Sequence, residues 1–420
     1  MIHSVSRLAL GAALALAGAS VVATAPAFAK APPAAAAAPA PRKYNLTKEE
    51  RAAMGPVQKA IVAKDWAAAQ AALPAAQAAA TSADGRYVIG QFKLQIGIGT
   101  NNEAMQAEAV DALIASGGAE ASELPALYRN QGALALRASP PNVAKAEAAF
   151  AKVVELNPTD TDAIVNLAKI KSDARKPQEA VALIDRAIAA KKAAGQPVDE
   201  TWYKYALKLA YDNKLNAQAI RISRDLVAAY PTKENWRDAL LIYRDDGNLD
   251  PAGRLDLLRL MRASKSLAGE RDWYDYADAV NNAGFPGEAK AVLDEGVSLR
   301  MIDPKKQAFA DLMRVATSRL AADRASLSAD AARALASGTG TAVLKMGDAY
   351  YGYGDYAKAA EFYRAAMTKG GVDAGTAQLR LGMSLAQAGD RAGAETALRA
   401  VTGQKADLAA YWLAWLAQRG

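Results

Sequence analysis

The chain has 420 residues, no cysteine and a single histidine, His3, with 51 basic against 44 acidic side chains. That composition removes disulfides, thiolate metal sites and thiol nucleophiles, and beyond the first few residues it also removes Ser-His-Asp catalysis and histidine-bound zinc. The mild basic excess suits weak attraction to acidic partners or anionic lipid heads and falls short of the dense basic stripe of a nucleic-acid binder.

In chain order, Arg7 supplies a basic start, an apolar run follows from Leu8 to Val22, and Ala27-Phe28-Ala29 gives a small-x-small cleavage pattern. Together they predict a signal peptide over residues 1–29, cleaved after Ala29. The apolar run is shorter than the roughly 20 residues of a comfortable membrane span. No cysteine follows it to carry a lipid anchor. The expectation is export to a bacterial periplasm and a mature chain from near Lys30, with no transmembrane span, carrying 50 basic and 44 acidic residues. Residues 30–45 open with KAPPAAAAAPAP. Proline every few residues blocks helix and sheet, and alanine offers little to pack, so this stretch reads as a disordered linker.

From Leu46 onward the pattern is helix after helix, rich in alanine, leucine, lysine, arginine and glutamate. Breaks recur at Ser139-Pro140-Pro141-Asn142, Asn157-Pro158, Tyr230-Pro231, Gly284-Phe285-Pro286 and Gly338-Thr339-Gly340. Each joins a helix terminator to residues suited to starting the next helix, with Thr159, Asp160 and Thr232 as N-cap candidates. Near the end the chain repeats itself. Met346-Gly347-x-x-Tyr350 leads to Gly354, Ala359, Tyr363 and Ala366, and 35 residues later Leu381-Gly382-x-x-Leu385 leads to Gly389, Ala394, Leu398 and Val401. The same frame fits Ala277, Val280, Gly284, Ala289 and Leu293, two periods before Gly347, with a degenerate unit of the right length, about Ala308 to Leu335, in between.

With these small residues aligned, the chain resembles the tetratricopeptide repeat (TPR) family, built from pairs of antiparallel helices of about 34 residues. The resemblance spans residues 46–420, weak over 46–200 and clearer over 270–405. It implies an all-α solenoid of helical hairpins in a superhelix. Small residues such as Gly347, Gly382, Ala277 and Ala168 stand where the second helix crosses the first. Residues 406–418 read as a final capping helix. Trp412 and Trp415 lie three apart on it, either as part of that cap or as an aromatic docking patch.

No catalytic motif stands out. Gly338-Thr339-Gly340-Thr341 lacks the Gly-Lys-Ser/Thr ending of a phosphate loop, Asp245-Asp246 reads as a solvated turn pair, and no cofactor or metal is expected. In the family, the concave face is lined by first-helix positions three before, one after and four after the crossing residue. Carried over, these are Lys204, Lys208 and Tyr211; Arg237, Leu241 and Arg244; Tyr274, Asp278 and Asn281; and Leu344, Asp348 and Tyr351. Basic groups beside tyrosines suit an acidic peptide, a C-terminal carboxylate or an anionic polysaccharide. The lysine-asparagine clamp of chaperone-tail binders is not reproduced. The sequence therefore points to a non-enzymatic periplasmic scaffold or adaptor for envelope proteins. The alternatives are a subunit of an exopolysaccharide assembly or secretion machine and, less favoured, a carboxylate hydrolase, for which the repeats leave no domain.

Overall fold

A computed structural model describes residues 42–419, Gly338 excepted, so the predicted signal peptide and most of the predicted linker lie outside the described residues. These residues form twenty α-helices and one short 3-10 turn, with no strand among them. They divide into two compact units, one ending at Ala163 and the other beginning at Ile164.

The first unit contains α1 (Lys48–Val62), α2 (Trp66–Ala79), α3 (Ala83–Gly99), α4 (Glu103–Ala115), α5 (Leu124–Arg137) and α6 (Val143–Leu156). They pair as three hairpins, α1 with α2, α3 with α4 and α5 with α6. Short polar residues start them. Thr47, Asp65, Ser82, Asn102 and Asn142 each accept a hydrogen bond from the third residue beyond, satisfying an amide that the helix itself leaves free. Met54, Val57, Leu73, Phe92 and Ile96 form the core between the first three helices. Arg42 to Asn45, assigned to the linker from sequence, are packed against this unit.

The division falls inside α7 (Thr161–Asp173), whose start is capped by Asp160 through its bond from the Ala163 amide, as predicted for that residue. The second unit continues with α8 (Pro177–Ala193), α9 (Glu200–Asp212), α10 (Asn216–Ala229), α11 (Lys233–Asp246), α12 (Pro251–Ala263), α13 (Gly269–Ala283) and α14 (Pro286–Ser298). It ends with α15 (Gln307–Ser337), α16 (Gly340–Gly352), α17 (Tyr356–Lys369), α18 (Ala374–Ala388), α19 (Arg391–Arg399) and α20 (Ala406–Ala417). Thr232 caps α11 as expected, and Gly284 and Gly389 end α13 and α18 in the left-handed conformation.

The small crossing residues sit where the sequence frame puts them. A Cβ on Gly347 would lie 2.6 Å from the Tyr363 ring, and one on Gly382 would lie 2.6 Å from Leu398 Cγ. Ala168, Ala277, Ala359 and Ala394 have no exposed surface. Polar bridges keep the same period. Asn235 donates to Glu200 and Arg237 to Asp272, each 35 residues apart, and Lys306 donates to Glu270 at 36.

Two features depart from a simple series of hairpins. The expected degenerate hairpin at Ala308 to Leu335 is one unbroken helix, α15, because no glycine or proline interrupts its 31 residues. At roughly 1.5 Å per residue it is about 46 Å long. The last helix does more than cover its neighbour. Besides packing on α18 and α19, α20 packs on α10. Tyr411 OH lies 2.6 Å from Ser223 Oγ and donates to the Ile220 carbonyl at 3.1 Å. Trp415 Nε1 donates to the last carbonyl of α12, Ala263, at 3.0 Å. Gln418 donates to the Val227 carbonyl and accepts from Trp236 Nε1. Trp412 is fully buried and Trp415 nearly so, which makes them core and not an exposed patch.

Candidate partner-binding surface

The packing of the second unit changes the face predicted to bind. At α16 it is taken up by a buried ionic hub drawn from α12, α14, α16 and α18. Arg259 donates to both oxygens of Glu288, at 2.9 and 2.7 Å, and to Asp256 and Asp348 at 3.1 and 3.3 Å. Arg380 donates to Asp256 at 3.0 Å and Asp348 at 2.7 Å. Tyr276 and Tyr363 hydroxyls complete it, each 2.8 Å from Glu288 and Asp348 respectively, and Arg259 lies 4.6 Å from the centre of the Tyr351 ring. Burial pushes the Glu288 carboxyl up, but the Arg259 guanidinium overcomes this and holds it below its ordinary value. Every charged group of the hub is engaged by another, so the arrangement holds helices and leaves little to recruit for chemistry.

The predicted residues therefore separate. Asp348 and Tyr351 lie in the hub, and Asn281 is buried with its Nδ2 bonded to the Leu312 carbonyl of α15. These three do not line an open face: α15 covers Asn281, Arg259 of α12 and Arg380 of α18 cover Asp348, and Arg259 and Tyr356 lie against the Tyr351 ring. Arg237 is bound to Asp272 and to the Ser266 carbonyl, and the half-buried Asp278 accepts from Asn282. Arg244 is exposed and bonded to Asp245, and Tyr274 is exposed with an edge-on contact to Phe309.

Lys204, Lys208 and Tyr211 stay together on the exposed face of α9. Tyr205, missed from sequence, joins them. At about 100° per residue these four positions fall within about 120° of the helix circumference. Tyr205 and Tyr211 are 38% and 51% exposed, whereas Tyr203 on the same helix is buried. The alternation in Tyr203-Lys204-Tyr205 was the available signal: only one of the two tyrosines can face the core. Lys204 bridges to the half-buried Glu200 at 3.0 Å and Lys208 to the exposed Asp212 at 2.6 Å, both surface pairs one turn apart that a competing anion can open. The hub also had a signal, in Asp256 and Arg259 inside the apolar run Leu255 to Met261.

Repeating hairpins, small crossing residues and bridges at a spacing of 35 or 36 residues decide the architecture. It is a TPR-like array. No family model matches the chain, and no curated protein does. Among solved structures the chain is similar to a tetratricopeptide repeat protein from Parabacteroides merdae, at 12% identity and a TM-score of 0.31, covering 64% of this chain and 100% of that one. It is also similar to PilF of Pseudomonas aeruginosa, at 16% identity and a TM-score of 0.22, covering 66% and 90%. A third is the Naa15/Naa10 complex bound to HypK-THB, at 15% identity and a TM-score of 0.32, covering 84% and 58%. Among the described residues of the TPR-like array, no helix is long and apolar enough to cross a membrane, and no cluster of acidic side chains has the grouping of a metal site.

Proposed function

We propose that the protein is a non-enzymatic scaffold of the bacterial periplasm that holds acidic segments of envelope proteins on the exposed face of α9. The observation that supports it most is the pairing of two exposed tyrosines with two lysines on that one helix. Elsewhere in the unit most large aromatics, Tyr243, Tyr276, Tyr363 and Trp412 among them, are spent on the core, and the exposed Tyr274 is packed edge-on against Phe309. Tyrosine gives contact area at little entropic cost, and lysines held by single surface bridges can exchange Glu200 and Asp212 for a partner's carboxylates. Export is supported by the predicted signal peptide, and a non-catalytic role by the saturated hub and by a mature sequence without histidine or cysteine.

The test is crosslinking in intact cells with the parent chain and a Lys204→Glu, Lys208→Glu, Tyr205→Ala, Tyr211→Ala variant. A discrete envelope protein caught by the parent and lost by the variant, with unchanged melting, is the expected result. Equal capture by both would refute this surface. Capture of an anionic polysaccharide in place of a protein would favour the exopolysaccharide role.

A further inference from the structure

Outside this surface, the first unit holds a second constellation. Arg42, the first described residue, extends its guanidinium into a cluster drawn from three places: Asp84 and Tyr87 of α3, the loop carrying Gly118 and Glu120, and Glu123 at the entrance to α5. Nη1 donates to Glu123 at 2.9 Å. Nη2 donates to the Gly118 carbonyl and approaches Asp84 at 3.4 Å, and Nε stands 3.6 Å from Glu120. The guanidinium carbon lies 5.0 and 4.7 Å from the ring centres of Tyr44 and Tyr87. All three nitrogens face an oxygen acceptor, with two aromatic rings against the group.

The walls of this pocket are held by bonds that do not involve Arg42. Tyr87 OH donates to Glu123 at 2.7 Å, the Glu120 amide donates to Glu123 at 2.7 Å, and the Gly118 amide donates to the buried Ser116 hydroxyl at 3.0 Å. A Cβ on Gly118 would stand 2.6 Å from the Ala83 carbonyl oxygen, so only glycine lets that loop come close enough to present its own carbonyl. Three carboxylates meet a single guanidinium, while the nearby Arg86 is turned to the Thr81 and Ser116 carbonyls. An ordinary surface ion pair has one partner and contributes little. This pocket instead combines pre-set acceptors, excess negative charge and aromatic walls.

We infer that the first unit carries a guanidinium-binding site whose resident ligand is the side chain of Arg42. The segment behind the arginine is laid down with it. The Asn45 amide donates to Asp84 at 2.7 Å and Tyr44 OH to Gln91 at 3.2 Å. The site thus fixes where the predicted linker joins the folded body.

The full chain carrying Arg42→Ala tests this by chemical rescue. Loss of the guanidinium should speed hydrogen exchange at the Asn45 amide by about tenfold or more, as for a segment released from its anchor. Millimolar ethylguanidinium should restore protection in the variant and leave the parent unchanged, because its pocket is already full. Ethylammonium, with the same charge but no planar fork, should not restore it. Arg42→Lys should behave like Arg42→Ala without added ligand. Parent-like protection at Asn45 in Arg42→Ala would overturn the inference. So would equal rescue by ethylammonium, which would reduce the pocket to unspecific charge attraction.

Discussion

Glu50 shows how much a single side chain can organise. It has no exposed surface, yet its two oxygens accept from the amides of Thr47, Thr81 and Ser82 and from the Ser82 hydroxyl. It closes the capping box of α1 with Thr47 and ties that helix to the start of α3. These bonds, led by the Ser82 and Thr47 amides, hold its carboxyl down at about 2 against the effect of desolvation. In the unfolded chain the group titrates near its ordinary value, about 4.3. A folded-state value below the unfolded one means that the stabilisation is complete above about pH 5 and fades as pH falls toward 2. Glu50→Gln should therefore cost on the order of 2 kcal/mol near neutrality, and the gap from the parent in urea unfolding should close progressively below about pH 4. A gap that stayed constant down to pH 2 would mean that the charge contributes nothing. The crossing glycines make a second claim at this scale. Gly347→Leu would drive a side chain into Tyr363 and should cost about 1–3 kcal/mol, or more, in thermal unfolding; melting like the parent would show the register to be wrong.

At the scale of helices, hairpins could be read because their causes are local. Gly284 and Gly389 end helices by adopting a conformation other residues resist, Thr232 and Asp160 start them, and Gly347 and Gly382 recur because a neighbouring side chain needs the room. The unbroken α15 has its signal in the absence of glycine and proline, whereas the unit was assigned from the 35-residue period alone. The hub was legible only in part: Asp256 and Arg259 interrupt an apolar run, but Arg380 meets its partner Asp256 across 124 residues and no local pattern records that meeting. Its energetics are asymmetric. Removing Arg259 alone strands Glu288 as a buried carboxylate without a cation, while Asp348 and Asp256 keep Arg380, and Arg259→Met should cost about 3–5 kcal/mol in urea unfolding. Replacing Arg259, Glu288 and Asp256 together by apolar residues of similar volume should recover much of that loss. If the single and triple variants were equally damaged, the hub's charges would not be what links these helices.

At the scale of the molecule, part of the predicted groove was lost because an open face was carried over to four hairpins alike, while the second unit closes on itself. A linear repeat array has free ends, its stability is a sum over neighbours, and its terminal repeats open first. Here the terminal helix is bonded to α10 and α12 through Tyr411, Trp415 and Gln418, so the end of the chain cannot leave without uncovering helices from the middle. Trp412, fully buried beside Trp415 with ring centres 5.2 Å apart, tests this closure. Trp412→Ala removes a large side chain from a packed site and should cost about 3–5 kcal/mol. The location of the damage matters more than its size. In an open array, hydrogen exchange would quicken only in α18, α19 and α20. In the closed unit it should quicken to a similar degree in α10, α11 and α12, which lose their cover at the same moment. Exchange confined to the last three helices would show that the contacts of Tyr411 and Trp415 are present but carry no coupling, and the second unit would then be a solenoid with an ordinary cap.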